Sequence, residues 1–401
     1  MSRSAAQLAP APRLNPAAGI TLPAHLDQVN LFQAVQVFQA ARALEAQGRS
    51  VIHLEFGEPD FPTPEPIREA AVHALAEGHT RYVHSMGIPA FREAIAEHHR
   101  RKYGVDVHPE QILVSMGTSL IMQLLMLMLL EPGDEIVLTD PSYACYANYT
   151  RIARGALRFV PIREAEGYQP DPEAIRRAIG PRTRAVMINS PANPTGVVTR
   201  PEILRELARL PVPVISDEIY HGLTYAGEEH SLMEYSERVI VVNGFSKYFA
   251  MTGWRLGYMI FPRELQPTVM KLHQNMMISA NDFMQYAGIV ALNEAIPICE
   301  DYKREYDRRR RFMIRRLGEI GLPLRYEPTG AFYCFADASR YGSDSLALAR
   351  DILEHTGVAV TPGIDFGAGG ESHLRFAYSN SHENIAEAMN RLDAYLAEHR
   401  R

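Results

Sequence analysis

Lys247 is the residue whose surroundings in this sequence most favour chemical reactivity. The chain holds 37 arginines but only four lysines, Lys102, Lys247, Lys271 and Lys303. Any mechanism that needs a side-chain amine therefore has four candidates. Lys247 follows the apolar run 239–242 and is flanked by aromatic and small residues. Because a crowded, desolvated site lowers the pKa of an amine and makes it a nucleophile toward carbonyl groups, we expect Lys247 to be the reactive one.

Polar and small residues follow a series of short apolar runs, which alternate with helical patterns through the middle of the chain. We predict six strands, at 111–115, 135–139, 184–188, 212–216, 239–242 and 256–261. This alternation favours an α/β architecture with a parallel or mostly parallel sheet. In such sheets ligands bind at the carboxyl ends of the strands. The rule places Gly117, Tyr143, Asn193, Asp217 and Lys247 along one edge of one sheet.

The composition argues against several classes of protein. The formal net charge is −6 and the sequence pI is about 6.2, whereas a nucleic-acid-binding protein needs a basic surface for its phosphate contacts. The basic run 308–311 lies in a charged helical pattern, where we expect a solvated face. Cys145, Cys299 and Cys334 are too few and too scattered for a disulfide framework or a zinc site. We therefore predict no metal and a cytoplasmic protein.

No apolar run is long enough to cross a membrane. The longest, 120–130, has 11 residues, and about 20 are needed; we expect a buried helix there and no membrane partner. The first 25 residues are rich in Ala and Pro and lack the continuous apolar stretch of a secretory signal. A loose arm is the simpler interpretation, and an organellar targeting segment stays the alternative.

Three ordered motifs carry a resemblance to a known family. They are 193–196 (Asn-Pro-Thr-Gly), 217–220 (Asp-Glu-Ile-Tyr) and 246–257, which begins Ser-Lys and ends in Gly. Together they resemble the class I/II aminotransferases, pyridoxal-phosphate enzymes of fold type I. The resemblance extends from 57–61 (Gly-Glu-Pro-Asp-Phe) to 374–376 (Leu-Arg-Phe), nearly the whole chain. Each motif is weak alone, but the ordered combination is specific.

The resemblance implies an enzyme that moves an amino group from an L-amino acid to a 2-oxo acid by a ping-pong mechanism. It implies a large α/β domain, with a mostly parallel sheet flanked by helices, that binds pyridoxal 5′-phosphate, and a smaller α+β domain. Near residue 285 a long charged helix replaces the alternating pattern. We therefore divide the chain into an arm and active-site cover at 1–50, the large domain at 51–285 and the small domain at 286–401.

The resemblance also assigns the central chemistry to five side chains. Lys247 would hold the cofactor covalently and, once released, move a proton at the substrate Cα. Asp217 would pair with the pyridine nitrogen and keep it protonated, because an adjacent carboxylate raises the pKa of a cationic acid. Asn193 and Tyr220 would hydrogen-bond the phenolic oxygen of the cofactor. Tyr143 would stack on its ring.

The cofactor phosphate would lie at a helix N-terminus, which is a ready anion site. The resemblance implies contacts from the backbone amides of Gly117, Thr118 and Ser119. It adds a charge from Arg255 and a hydroxyl from Ser246. A capping role for the two hydroxyl residues at the helix start is compatible with phosphate binding.

Three further residues would bind the substrate or serve the partner subunit. Arg375 would hold the substrate α-carboxylate through a bidentate fork, and Gly57 would offer its backbone to the same group. A plain turn glycine is the alternative at Gly57. Tyr82 resembles the family tyrosine that reaches the phosphate of the neighbouring subunit, which implies a homodimer with shared active sites. A core aromatic is the alternative for Tyr82.

The identity of the amino donor is suggested by what the sequence lacks. Relatives that act on aspartate commonly supply a second basic group, near Ser119 or in the segment before the long helix. Ser119 is uncharged and 275–285 contains no Arg or Lys. Because an unpaired buried carboxylate is costly, an acidic donor is disfavoured. Phe32, Val35 and Phe38 resemble the segment that covers the pocket, which favours a neutral or apolar donor side chain.

Two other functions stay open on the sequence alone. Another fold type I reaction, such as C–S β-elimination or a cyclising synthesis, would use Lys247, Asp217 and Arg375 equally well, because a fold does not fix the chemistry. A cofactor-sensing regulator would need a DNA-binding domain, and the negative charge of the chain disfavours it.

Overall fold

The structure is a computed structural model that describes residues 22–398. Its helices are α1 Gln33–Ala46, α2 Glu65–Ala76, α3 Pro89–Tyr103, α4 Thr118–Leu129, α5 Ala144–Ile152, α6 Pro172–Ala178, α7 Pro201–Leu207, α8 Gln266–Met277, α9 Asp282–Asn293, α10 Ile296–Glu319, α11 Ser345–Thr356 and α12 His382–Glu398. Its strands are β1 Ile52–His53, β2 Ile112–Ser115, β3 Glu135–Asp140, β4 Ala156–Pro161, β5 Thr183–Asn189, β6 Val214–Asp217, β7 Ile240–Gly244, β8 Gly257–Ile260, β9 Tyr333–Asp337, β10 Val358–Ala359, β11 Thr361–Pro362 and β12 His373–Ala377.

A seven-stranded sheet in the order β2-β8-β7-β6-β5-β3-β4 forms the centre of the fold. The pairs β7–β6, β6–β5, β5–β3 and β3–β4 are parallel, whereas β8 is antiparallel to both β2 and β7. The prediction of a mostly parallel sheet is confirmed, and all six predicted strands belong to it. The sequence prediction missed β4, an edge strand with mostly exposed side chains that therefore lacks a continuous apolar run.

The central strands are buried on both faces, which explains why they are continuous apolar runs. In β2, Leu113 and Val114 belong to two different apolar clusters, and in β5 the neighbours Val186 and Met187 do the same. Because successive side chains of a strand point to opposite faces, the two clusters are cores on the two sides of the sheet. The predicted buried helix is α4, which adds Leu125 and its neighbours to the cluster that holds Leu113.

Local sequence signals set the ends of several helices. Pro89 opens α3, where the missing N–H of proline costs nothing because the first amides of a helix have no partner inside it. Gly104 follows the end of α3 with φ +68°, a left-handed conformation that favours glycine. The side chain of Asp344 accepts a hydrogen bond from the amide of Ala347 and caps α11. Gly357 ends α11 with φ +66°.

The basic run 308–311 lies in α10, as expected, but the prediction that it is a solvated face is wrong for two of its arginines. The side chain of Arg309 is 7% exposed and pairs with Asp60 at 2.8 Å. The side chain of Arg310 is 4% exposed and pairs with Glu327 at 2.8 Å. Partner carboxylates make the burial of these charges tolerable.

The C-terminal part of the chain forms a sheet of its own. β12 pairs antiparallel with β11 and β9, which sets Arg375 opposite Thr361 on one side and Phe335 on the other. β1, which lies shortly before the 57–61 motif, pairs with β10. The proposed domain boundaries at residues 50 and 285 stay a prediction. Among residues 22–398, no helix has the length and apolar character needed to cross a membrane.

Candidate active site

Three parallel strands end at one edge of the central sheet and bring the predicted residues together. β5 ends at Asn189, β6 at Asp217 and β7 at Gly244. Asn189 and Asp217 pair in register, so these strand ends are neighbours. Asn193 follows the end of β5 by four residues and Lys247 follows the end of β7 by three. The sheet thus positions the amide, the carboxylate and the amine at the same edge.

These strand ends border a cavity of about 240 Å³. Most of the predicted site residues line it: Gly57, Thr118, Ser119, Tyr143, Asn193, Asp217, Tyr220, Ser246, Lys247, Arg255 and Arg375. Gly117 lies behind Arg255, since a Cβ at this glycine would stand 2.6 Å from the Arg255 Nη2. Tyr82 is 79% exposed and lies outside the cavity of its own chain. The catalytic and binding roles of these residues stay predictions.

The amine of Lys247 is buried beside a backbone carbonyl and two aromatic rings. Its Nζ donates a hydrogen bond to the carbonyl oxygen of Gly57 at 2.6 Å. The ring centroids of Tyr220 and Phe332 are 5.9 and 6.0 Å from the same nitrogen. Burial lowers the pKa of Lys247 to about 8, although the nearby Glu58 carboxylate opposes the shift. At neutral pH this amine is therefore uncharged far more often than an ordinary lysine.

Asp217 is buried and held by two hydrogen bonds. The Tyr146 hydroxyl donates to its Oδ2 at 2.5 Å, and the backbone amide of Ile219 donates to its Oδ1 at 3.1 Å. Burial raises the pKa of Asp217 to about 6, and both hydrogen bonds oppose that shift. The sequence reasoning missed Tyr146. Its position three residues after Tyr143, at the start of a helix, is the signal that would have placed the two rings on one face.

Arg375 is 2% exposed and its guanidinium is held on several sides. Nη1 donates to Asn193 Oδ1 at 3.0 Å, while Nη2 donates to the Glu55 carbonyl oxygen at 2.5 Å and to Thr361 Oγ1 at 3.0 Å. The Tyr333 ring centroid lies 4.4 Å from the guanidinium carbon. Within the described chain the buried Nε has no hydrogen-bond partner. Arg375 lines the cavity, and a guanidinium held in a fixed position there is suited to binding an anion.

Tyr333 contacts two of the predicted residues, Tyr220 and Gly57. Tyr333 was not identified from the sequence, because it belongs to no motif. Its hydroxyl lies 2.7 Å from the hydroxyl of Tyr220. A Cβ built on Gly57 would stand 1.8 Å from the same Tyr333 oxygen. Gly57 is therefore more than a turn residue, because any side chain there would displace Tyr333 from the cavity wall.

Another part of the cavity wall is built around the start of α4. Among the described residues no side chain caps this helix, so its first amides are free to bind an anion. Arg255 adjoins it in a left-handed backbone conformation, φ +53°, and donates to the Thr252 carbonyl oxygen at 3.0 Å. A Cβ on Gly257 would lie 2.9 Å from the Thr118 amide nitrogen. Glycine at 257 thus lets β8 pack directly against the backbone at the start of α4.

Aromatic residues from the N-terminal region close one side of the cavity. Phe32 lines it and its ring meets that of Tyr143 edge-on, with centroids 6.0 Å apart. The ring centroids of Phe38 and Phe56 are 5.1 Å apart, and Phe56 lines the cavity whereas Phe38 does not. Val35, the third residue expected in the covering segment, is not among the lining residues.

The parts of the cavity fit the parts of pyridoxal 5′-phosphate. The Asp217 carboxylate suits a protonated ring nitrogen, and the Lys247 amine suits an aldehyde. The uncapped start of α4, together with Arg255, suits a phosphate dianion. The described residues therefore offer a carboxylate, an amine and an anion site within one cavity.

The chain is similar to known proteins over most of its length. The family model described as aminotransferase class I and II matches residues 49–392. The aspartate/prephenate aminotransferase of Thermus thermophilus is 42% identical over 370 residues, covering 90% of this chain and 95% of that protein. The (5-formylfuran-3-yl)methyl phosphate transaminase of Methanocaldococcus jannaschii is 38% identical over 370 residues, covering 91% and 96%.

A solved structure has the same fold. The aspartate aminotransferase from Thermus thermophilus, solved with maleate, superposes with a TM-score of 0.89 at 39% sequence identity. The match covers 94% of this chain and 99% of that one. The shared architecture therefore extends over both the central sheet and the C-terminal region.

Proposed function

The chain belongs to the class I and II aminotransferases, and from this membership we propose the roles of its site residues and the class of its amino donor. It is a pyridoxal-phosphate-dependent enzyme of fold type I that moves an amino group from an amino acid to a 2-oxo acid. When bound, the cofactor supplies an electron sink for the negative charge that develops at the substrate Cα.

We assign the reacting groups from their places in the cavity. Lys247 holds the cofactor and, when released, takes the proton from the substrate Cα, a role that the pKa of about 8 supports. Asp217 pairs with the ring nitrogen. Asn193 and Tyr220 donate to the phenolic oxygen, and Tyr143 packs against the ring.

The phosphate and carboxylate sites are assigned in the same way. The start of α4, with Gly117, Thr118 and Ser119, binds the phosphate together with Ser246 and Arg255. Arg375 binds the α-carboxylate of the substrate, supported by its place in the cavity wall and by the hydrogen bonds that fix its guanidinium, and the backbone of Gly57 adjoins the same group.

An uncharged side chain is the best fit for the amino donor, and the charges of the cavity wall carry this proposal. The described wall holds three basic residues, Lys247, Arg255 and Arg375. Each already has a partner in the assignment, and Glu58 adds a carboxylate to the same wall. A second substrate carboxylate therefore meets no unassigned cation, and burying it unpaired is costly. The relatives do not decide the question, because one is named for aspartate and prephenate and the other for (5-formylfuran-3-yl)methyl phosphate.

A panel of donors in single half-reactions tests this proposal. We expect phenylalanine, leucine and methionine to convert the bound cofactor with second-order rate constants at least about 100-fold higher than aspartate or glutamate, because an uncompensated buried charge costs roughly 3–5 kcal/mol. The measurement is the absorbance change of the cofactor after mixing. A faster reaction with aspartate would contradict the proposal, and release of ammonia with loss of the donor side chain would show elimination instead.

A charge introduced at Ser119 sharpens the test. Ser119→Lys places an amine in the wall, and we expect it to raise the rate ratio of aspartate to phenylalanine about tenfold. Ser119→Met, of similar length and no charge, is the matched control and is expected to lower the ratio or leave it unchanged. Equal changes in both variants would show that charge at this position does not select the donor.

Replacing Arg375 with lysine tests the α-carboxylate site. The charge stays but the fork is lost, so we expect the KM for both donor and acceptor to rise roughly 10- to 100-fold, since hydrogen bonds to charged groups are worth ~1.5–3 kcal/mol. The cofactor content is expected to be unaffected. Arg200→Lys, at a residue that is 60% exposed and outside the cavity, is the control. An unchanged KM in Arg375→Lys would remove Arg375 from the site.

We also propose that two copies of the chain share their active sites, with Tyr82 of each reaching the phosphate site of the other. Three exposed apolar or aromatic side chains support this: Tyr82 at 79%, Met116 at 39% and Ile278 at 48%. Met116 directly precedes Gly117 at the phosphate end of the cavity. The Val83 amide donates to Ser279 Oγ at 3.4 Å, which brings Tyr82 and Ile278 to the same part of the surface, and neighbouring exposed apolar groups mark interaction surfaces.

A further inference from the structure

The first turn of α1 forms part of the cavity wall but lacks a cap of its own. Phe32, at the N-cap position, and Ala34 both line the cavity. The first amides of a helix have no partner inside it, and the Phe32 side chain carries no atom that could accept from them. The position of this turn therefore depends on an acceptor from elsewhere in the chain.

Asp365 supplies that acceptor. Its Oδ1 accepts from the Gln33 amide at 2.9 Å and its Oδ2 from the Ala34 amide at 3.2 Å, across more than 330 residues of sequence. A carboxylate at this place also suits the partial positive charge of a helix N-terminus. Burial raises the pKa of Asp365 to about 6, and the two amides and the charge of Arg375 oppose the shift.

The loop that carries Asp365 is attached to the substrate site and to the central sheet. The ring of Phe366 lies 5.0 Å from the guanidinium carbon of Arg375. The amide of Gly369 donates to Asp140 Oδ1 at 3.0 Å, at the carboxyl end of β3. The Asp365 carboxylate thus lies between the α-carboxylate clamp and the N-terminal wall of the cavity.

Other contacts hold the rest of the N-terminal region without Asp365. Val37 packs in a buried apolar cluster with Leu353 of α11. Ahead of the helix, Asn30 exchanges two backbone–side-chain hydrogen bonds with Asn148, at 3.0 and 2.9 Å. Loss of the carboxylate should therefore loosen the first turn of α1 and leave the rest of the helix in place.

We propose that Asp365 is a positioning residue for the donor site: it binds the first turn of α1 and thereby holds Phe32 in the wall that receives the donor side chain. The inference rests on the proposed function, because it takes this cavity as the site of an apolar donor. Asp365 acts through α1 and touches no reacting atom.

The expected consequence is a loss of affinity that depends on the size of the donor. Removing an N-cap acceptor lowers the equilibrium constant for the ordered first turn by a factor of about 3 to 30. The KM for phenylalanine should rise by that factor while kcat changes less than about twofold. The KM for alanine should change less than about threefold, because a methyl group offers little apolar surface to Phe32.

Two measurements on the holoenzyme test the proposal in Asp365→Ala and Asp365→Asn. The first is kcat and KM for phenylalanine and alanine. The second is amide hydrogen exchange, which should become faster at 33–36 and stay unchanged at 38–46. If Asp365→Ala does not fold, Asp365→Asn, which keeps one acceptor oxygen, should show the same pattern with smaller changes.

Asp171→Ala is the matched control, since it removes a carboxylate cap from α6. The Asp171 side chain accepts a hydrogen bond from the Glu173 amide at 2.9 Å, and it lies outside the cavity. The control variant should leave both KM values unchanged. Unchanged exchange at 33–36 in the Asp365 variants would overturn the proposal, as would equal rises in KM for alanine and phenylalanine. If the wild-type enzyme prefers aspartate while exchange still responds, the proposed donor class fails and the role of Asp365 in holding α1 stands.

Discussion

Replacing Lys247 with alanine is expected to lower the rate of transamination by about 10⁴-fold or more, because the variant loses both the nucleophilic amine and the base at the substrate Cα. The measurement is the single-turnover conversion of bound cofactor by phenylalanine. Cofactor content is expected to fall less, since the phosphate site and Asp217 remain. Lys102→Ala is the control: Lys102 pairs with Glu229 at 2.6 Å outside the cavity, so its loss should leave the rate unchanged.

Chemical labelling checks the same residue without substitution. Borohydride reduction of the holoenzyme should attach the cofactor to Lys247, and peptide mapping is unambiguous because the chain has only three other lysines. Recovery of the label at Lys102, Lys271 or Lys303 would contradict the assignment.

The pH dependence of labelling follows from the lowered pKa of Lys247. Only the uncharged amine attacks an aldehyde. Burial lowers the pKa of this amine to about 8, so its uncharged fraction grows as the pH rises and is half-maximal near pH 8. Cofactor-free protein exposed to pyridoxal and borohydride should therefore be labelled increasingly up to about pH 9. A rise that continues to pH 10 or beyond would show an ordinary, solvated lysine.

The sequence was sufficient to predict which residues meet at the strand ends, because a general rule connects the two. Once the apolar runs before Asn193, Asp217 and Lys247 are identified as parallel strands, their carboxyl ends must lie at one edge of a sheet. The assignment of Thr118 and Ser119 to the phosphate came from the resemblance to the family, and the start of an apolar helix is compatible with it. The meeting of Asn193, Asp217 and Lys247 thus follows from the order of the strands along the chain.

The contacts missed from the sequence join residues that no periodicity connects. Tyr146 reaches Asp217 across 71 positions, and Tyr333 reaches Tyr220 across 113. A tyrosine in a strand or helix is ordinarily a core residue, so its type alone gives no signal. Arg309 was misplaced for a related reason: its burial depends on Asp60, a carboxylate 249 residues away. Side-chain pairing of this kind is decided by tertiary packing.

Replacing Asp217 with alanine is expected to reduce turnover roughly 10³-fold, because a neutral pyridine ring stabilises the developing negative charge poorly. Loss of one electrostatic contact of this kind lowers kcat by a factor of about 10²–10³. The loss of cofactor content should be much smaller, since Lys247 and the phosphate site still hold the group. The two quantities are measured on the same preparation, by absorbance and by single-turnover rate. Equal losses of both would show that Asp217 serves only to retain the cofactor.

Tyr146→Phe keeps the Asp217 side chain but removes a hydrogen bond that favours its ionised form. The Tyr146 hydroxyl donates to the carboxylate at 2.5 Å and favours its ionised form, so removing it should raise the pKa of Asp217 further and weaken the pairing with a protonated ring. A hydrogen bond to a charged group is worth ~1.5–3 kcal/mol, and we expect about a tenfold loss of kcat with full cofactor content. Tyr341→Phe, which removes a hydroxyl bonded to the Ile320 carbonyl oxygen outside the cavity, is the matched control. If both variants lose activity alike, the effect belongs to general packing and Tyr146 has no particular part in holding Asp217 ionised.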